Sequence, residues 1–253
     1  MAIIAVFNQH GGVGKTTTAL NLLAAIAQRG MRPWAIDLDP QAHLSHLFGT
    51  SARAPEESMA AFFAQREPLE HLGEITRSGV VLCPAHPALA HVDAMLGKGL
   101  NSLTRLRHAL RTRGATTGPV VIDCASRRDA LTLNAVFASD LVLVPVSCQD
   151  DAAHAATAVE RMLNAIEPLV GFRAPRRYVM TRVNGAESGS AVEHSLRDAL
   201  HIDEICSTRI HESATIADSA AKRLDVFRHA PGSDGARDFD ALVDELERAG
   251  FLP

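Results

Sequence analysis

The residues best equipped for chemistry come early, in the run Asn8-Gln9-His10-Gly11-Gly12-Val13-Gly14-Lys15-Thr16-Thr17-Thr18. Glycines let consecutive backbone N–H groups curl around an anion, and a helix starting at Lys15 or Thr16 would add the partial positive charge of its N-terminus. Lys15 supplies a full charge and Thr16 a hydroxyl suited to Mg²⁺, so the chemistry is binding of nucleotide phosphates. The strict pattern G-x-x-x-x-G-K-[ST] is not met, because Gln9 stands where its first glycine would be. Three carboxylates complete the set: Asp37 and Asp39 in Asp37-Leu38-Asp39-Pro40-Gln41, and Asp123 closing Val120-Val121-Ile122-Asp123. Acids at strand ends suit metal binding and water positioning, and equally suit a solvated strand-to-loop junction.

The flanking sequence says what must hold these groups. Ala2 to Phe7 (AIIAVF) is a continuous apolar run that reads as a strand buried on both faces. Thr16 to Arg29 carries Leu20, Leu23, Ala24 and Ala27 at helical spacing and stops at Gly30. Further strands are expected at 33–37, 80–83, 120–123, 141–146 and 177–181. Helices are expected near 100–113, 131–138, 152–166, 191–200 and 236–249. Strand and helix alternating at this pitch predict a three-layer α/β fold, a mostly parallel twisted sheet with helices on both faces. Residues 50–87 are the least periodic and read as an elaborated crossover, so one domain spanning 1–253 is expected.

The chain has 253 residues, of which 47% are hydrophobic and 21% charged, enough to bury a sizeable core. A formal net charge of −4 excludes a broadly basic nucleic-acid binder, and 4% aromatics exclude a base-stacking sheet. Cys83, Cys124, Cys148 and Cys206 form no C-x-x-C pair and read as reduced thiols. No apolar window is long enough for a membrane span and none at the start reads as a signal peptide, so a cytoplasmic location is expected. Among the 12 histidines, His43 with His46 and His86 with His91 are close in sequence, but no third metal ligand accompanies either pair.

The loop from 8 to 18 resembles the deviant phosphate loop K-G-G-x-G-K-T of the ParA/MinD family of P-loop ATPases, in its ParA (Soj)-like branch. Asp37 to Gln41 is similar to that family's D-x-D-P-Q segment, Val120 to Asp123 to its acidic strand, and Leu131 to Val146 to the stretch that follows. Ala230 to Ala236 (APGSDGA) resembles its late P-x-S-x-G-A segment. The resemblance implies a P-loop NTPase fold and ATP or ADP with Mg²⁺ as cofactors. It assigns the phosphates to Gly11, Gly12, Val13, Gly14, Lys15, Thr16 and Thr17, and the metal to Thr16, Asp37 and Asp123. It makes Asp39 the residue that positions the attacking water and offers Asn184, after a late strand, as a base contact. It implies an ATP-bound homodimer and a small stimulating adaptor, ParB-like or cargo-specific. The activity implied is slow ATP hydrolysis that partitions or positions a plasmid, chromosome region or cellular body.

Three departures qualify this. His10 stands where the family has a second, signature lysine that reaches a partner's phosphates, and imidazole is shorter and carries no permanent charge. A scaffold that dimerises on nucleotide with little hydrolysis is therefore the competing expectation, unless another basic residue takes that lysine's role. After Asp123 the family's C-P-P becomes Cys124-Ala125-Ser126, followed by Arg127-Arg128, either a solvated pair or one that approaches the phosphates. The family's DNA-binding arginines fall in a stretch that here reads Ile210-His211-Glu212-Ser213-Ala214-Thr215-Ile216. Non-specific DNA binding, and with it a nucleoid association, would need a patch rebuilt from Lys222, Arg223 and Arg228 or from Arg173, Arg176 and Arg177. The acid-rich end, Asp244 to Arg248, argues against membrane docking by a basic terminal helix.

Overall fold

The computed structural model describes residues 2–52, 54–96, 99–112, 118–149, 151–171 and 173–253. Eight strands form one sheet: β1 (Ile3–Val6), β2 (Trp34–Asp37), β3 (Glu74–Ile75), β4 (Val81–Cys83), β5 (Val120–Asp123), β6 (Leu141–Ser147), β7 (Arg176–Val183) and β8 (Ile205–His211). Their order is β3-β4-β2-β5-β1-β6-β7-β8, and every pairing is parallel except that of the two-residue edge strand β3 with β4. The helices are α1 (Lys15–Gln28), α2 (His43–Leu47), α3 (Met59–Phe63), α4 (Val92–Met95), α5 (Leu100–Leu103), α6 (Arg105–Thr112) and α7 (Ala130–Ala138). After these come α8 (Ala152–Val170), α9 (Gly185–Ala199), α10 (Ala214–Ala221), α11 (Val226–His229) and α12 (Asp234–Arg248).

Alternation along β1 sets the layers. Ile3, Ala5 and Phe7 face one apolar cluster, with α3, α7 and α8, while Ile4 and Val6 face another, with α1 and α12. Each fully buried leucine, such as Leu22 and Leu23 on α1, stabilises this arrangement by roughly 1.5–3 kcal/mol relative to exposure. β1 is central: the connection that leaves it leads to β2 on one side, whereas the one from β5 crosses β1 to reach β6 on the other. Such a reversal opens a crevice at the carboxyl ends of the strands.

The expected three-layer α/β sheet is therefore present, with several boundaries moved. The helix expected over 100–113 is two, α5 and α6, and its last residue lies outside the described ones. The helix from Ala152 runs on to Val170 despite Pro168, and the one expected from Ala191 starts at Gly185. β8 has no counterpart among the expected strands, because it is an edge strand of mixed polarity, ICSTRIH, with only Cys206 and Ile210 buried.

The open side of β8 is occupied by acids from α12. Glu245 accepts the N–H groups of Ser207 and Thr208, both at 2.7 Å, and Asp238 accepts that of His211 at 2.9 Å. Arg29, at the end of α1, bridges Asp240 and Asp244 at 2.7 Å and Glu247 at 2.9 Å. The acid-rich terminal segment is thus internal bracing of an edge that would otherwise template strand pairing. Burial alone would push the Glu245 carboxyl up, but the Thr208 and Ser207 donors outweigh it and hold it below the usual range. A depressed folded value means stability present above the unfolded pKa and lost as pH falls through the folded one. Glu245→Gln is expected to cost about 1 kcal/mol at pH 7, after allowing for solvent screening, and less at about pH 3, because the contribution is lost only as pH falls through the lowered folded value. Urea melts at the two pH values check this; a penalty independent of pH would contradict it.

Candidate active site

The phosphate loop joins β1 to α1 at the crevice. Gly12 at φ 75° and Gly14 at φ 88° are left-handed, a conformation that a side chain would strain. Gly14 caps α1 with no side-chain hydrogen bond, so the first N–H groups of that helix are uncapped by any side chain. Two residues outside the motif hold the loop's shape. Asn8, fully buried, donates to the Pro145 carbonyl at 2.8 Å and accepts the His10 N–H at 2.9 Å. Thr181, on β7, donates to the Val13 carbonyl at 2.9 Å.

Lys15 is only 7% exposed, and its ammonium donates to the His10 carbonyl at 2.8 Å and to the Ser126 hydroxyl at 2.6 Å. Burial pulls the Lys15 pKa below its ordinary value, opposed chiefly by the charge of Asp123. An arriving anion would restore what burial takes from this cation. The His10 side chain is exposed, and its ring lies 6.5 Å from that of His154 in the first turn of α8, edge to face.

Asp37 and Asp123 are cross-strand partners at the ends of β2 and β5, both fully buried. Their surroundings differ. Asp37 accepts from the Asp39 N–H at 3.1 Å and from the N–H and hydroxyl of Ser45, on α2, at 2.9 and 2.7 Å. Burial, only partly offset by Ser45, raises its pKa to about 6. Asp123 has neither oxygen hydrogen-bonded among the described residues. Its pKa is raised well above the carboxylate range, first by burial and then by the charge of Asp37, with the neighbouring Thr16 hydroxyl and Lys15 easing it only in part. A buried, unpartnered carboxylate beside a second acid and a hydroxyl is a site short of positive charge, and the donor set suits a hard divalent cation such as Mg²⁺. Asp39 is half-buried, and its Oδ1 accepts the Gln41 N–H at 2.9 Å.

A cavity of about 260 Å³ opens beside Gly14, Thr17 and Thr18 and is walled by Thr181, Arg182, residues 210–213, Ile216 and Phe239. Asn184 is exposed just past β7 and does not line it. A larger cavity of about 690 Å³ lies at the opposite ends of the strands, around Ala2, Pro119, Asp140 and Phe251, away from Asp37 and Asp123.

The structure brings the loop and the acids Asp37 and Asp123 to one end of the sheet, with Asn8, Ser45 and Thr181 shaping their surroundings from outside the motif. Among the described residues no three His, Cys, Asp or Glu gather into a metal cluster, and no helix is long and apolar enough to cross a membrane. One of the two basic clusters is withdrawn. Arg176 is 1% exposed, tied to Glu160 at 3.0 Å and to Glu167, with the Tyr178 hydroxyl donating to Glu160 at 2.7 Å. Arg173 pairs with Glu204 at 2.6 Å, and the Arg177 guanidinium lies 5.2 Å above the Phe251 ring. Lys222, Arg223 and Arg228 are exposed.

Comparison with known proteins agrees with this geometry. The AAA domain family pattern matches residues 1–171. The chromosome-partitioning ATPase Soj of Thermus thermophilus is 34% identical over 248 residues, 96% of this chain and 94% of that protein. The chromosome partitioning protein ParA of Caulobacter vibrioides is 35% identical over 180 residues, which span 70% of this chain and 66% of that protein. In fold, the chain matches the crystal structure of cobyrinic acid a,c-diamide synthase from Mycobacterium smegmatis with bound ADP and magnesium. The TM-score is 0.85 at 24% identity, covering 99% of this chain and 95% of that one.

Proposed function

The chain belongs to the ParA/Soj family of P-loop ATPases, and from that premise we propose that it is a Mg²⁺-dependent, cytoplasmic ATPase that partitions or positions a cargo. The observation that carries this reading is the buried, unpartnered Asp123 carboxylate beside the Lys15 and Thr16 end of the phosphate loop. Each residue then has a task. The N–H groups from Gly11 to Thr17 and the Lys15 ammonium bind and orient the phosphates. Thr16 and Asp123, with Asp37 beside them, would hold Mg²⁺, which when bound neutralises charge developing on the phosphate oxygens. Asp37, its oxygens engaged by Asp39 and Ser45, fixes the backbone that presents Asp39. Asp39 orients the water for in-line attack on the terminal phosphate. The cavity beside Thr17 takes the base, and Asn184, which does not line it, is not among its contacts. The proposed cargo is a plasmid, chromosome region or cellular body, and relatives named as chromosome-partitioning proteins support the chromosome region among these.

In this reading ATP joins two copies of the chain, and a small adaptor, ParB-like or cargo-specific, stimulates slow hydrolysis. Any non-specific, nucleoid-directed DNA binding falls to Lys222, Arg223 and Arg228. Size-exclusion chromatography with ATP against ADP tests the dimer: a shift with ATP alone supports the reading, and monomers under both conditions overturn that part of it. DNA binding should weaken steeply with salt, and no binding at low salt removes nucleoid tethering.

His10 limits the rate. His10→Lys restores a permanent cation at the loop and is expected to raise phosphate release near pH 7 by roughly tenfold, the scale of one charge-assisted contact. An unchanged rate would show that another basic residue already supplies that charge. Nucleotide-dependent dimers with background-level release would favour the scaffold.

A further inference from the structure

We propose that His211 is the residue that reads the base. Its Nε2 accepts a hydrogen bond from the 6-amino group of an adenine nucleotide, and Asp238 fixes the ring for that task. The inference deepens, and rests on, the reading that the phosphate loop takes a nucleotide and the cavity beside Thr17 its base.

Position comes first. The phosphates belong at the loop after β1, and β8, which ends at His211, is the third strand along from β1 in the sheet. At about 4.8 Å per strand, the end of β8 stands roughly 14 Å from that of β1. The cavity spans this gap, with Gly14, Thr17 and Thr18 toward the loop and Ile210, His211 and Glu212 toward β8. A nucleotide held by its phosphates at the loop therefore turns the far edge of its base, which bears the purine 6-position, toward β8. Ile216 and the fully buried Phe239 supply apolar wall for the ring.

Chemistry then singles out His211 among the polar side chains on that wall. The Thr181 hydroxyl donates to the Val13 carbonyl at 2.9 Å, and the Ser213 and Thr215 hydroxyls bond each other at 2.6 Å. Arg182 donates to Gln149 at 3.2 Å, and Gln149 in turn donates to Glu212 at 2.8 Å. His211 is engaged on one side only. Its Nδ1 lies 3.0 Å from Oδ2 of Asp238, which also accepts the His211 backbone N–H at 2.9 Å. A carboxylate accepts and does not donate, so Nδ1 carries the proton of the neutral ring and Nε2 keeps a lone pair. That Nε2 has no hydrogen-bond partner among the described residues. Asp238 belongs to α12 and its side chain is only 16% exposed, so a fixed element sets the ring. The free lone pair accepts from the adenine amino group and finds no donor on a purine that lacks it.

Calorimetric titration of the full chain with two probes in Mg²⁺ tests this. One is ADP; the other is purine riboside 5′-diphosphate, which has the same sugar and phosphates and lacks only the 6-amino group. The wild type is expected to prefer ADP about tenfold, the scale of one hydrogen bond. In His211→Ala the preference falls to within about twofold. His211→Arg presents donors only, so it opposes the amino group while serving the N1 acceptor of a purine without one, and the preference reverses. Because the probes differ only in the base, their affinity ratio is a readout that a merely structural role for His211 would not move. Both variants keep the backbone N–H that Asp238 accepts, and circular dichroism reports that each is folded. Equal affinities in the wild type, or an unaltered preference in either folded variant, overturns the inference alone. A wild type that binds neither probe overturns the functional reading beneath it.

Discussion

Lys15→Ala is expected to lower affinity for ADP and ATP at least about 100-fold, the loss of two charge-assisted bonds to phosphate at roughly 1.5–3 kcal/mol each. The ammonium is already desolvated and held at the loop by the His10 carbonyl and Ser126, so it meets phosphate without further ordering. Removing it also takes away a charge that eases ionisation of Asp123, whose neighbours Asp37 and Asp39 repel it further. The variant should still fold, because burial of Lys15 costs the folded state, as its lowered pKa records. Calorimetric titration with ADP, with circular dichroism as the control for folding, reads the effect. Affinity within threefold of wild type in a folded variant would remove Lys15 from the phosphate site.

Asp39→Ala is expected to separate binding from chemistry. Asp39 lies two residues beyond the end of β2, with its N–H held by Asp37 and one oxygen on Gln41. Its place in the proposed reaction is with the water, away from the Lys15 contacts to phosphate. Truncation should cut phosphate release about 100-fold or more, the usual scale for a residue that positions or activates a nucleophile. Affinity for ATP should stay within about threefold of wild type, since no proposed ground-state contact is lost. ATP-bound dimers should accumulate, because the step that dissolves them is slowed. Equal loss of affinity and turnover would make Asp39 a structural residue.

The phosphate loop was legible in sequence because its chemistry is carried by consecutive residues, where spacing alone sets the geometry. Asp123 was legible for a related reason, as an acid ending an uninterrupted apolar strand, and β5 spans 120–123 as expected. Residues that act across the chain were not. Asn8 works on the Pro145 carbonyl 137 positions away, and Thr181 on the Val13 carbonyl 168 away, and no local pattern marks either. In sequence Ser126 is only a missing proline, while its bond to Lys15 exists because β5 lies beside β1. Arg176 shows the converse error. In sequence it joins Arg173 and Arg177 as a basic run, but β7 turns it inward against two glutamates of α8. The edge strand β8 carries too little apolar alternation to be seen, and its partners are the acids of α12.

Everything proposed for the site depends on a bound metal supplying the positive charge that Asp123 lacks. Phosphate release by the wild-type chain, followed with ATP in the presence of Mg²⁺ and again with the metal chelated, tests that dependence most directly. Slow release that disappears on chelation and returns with added Mg²⁺ is the expected result. Release at the same rate without a divalent ion, or none above background in chain shown to bind ATP and Mg²⁺, would contradict it.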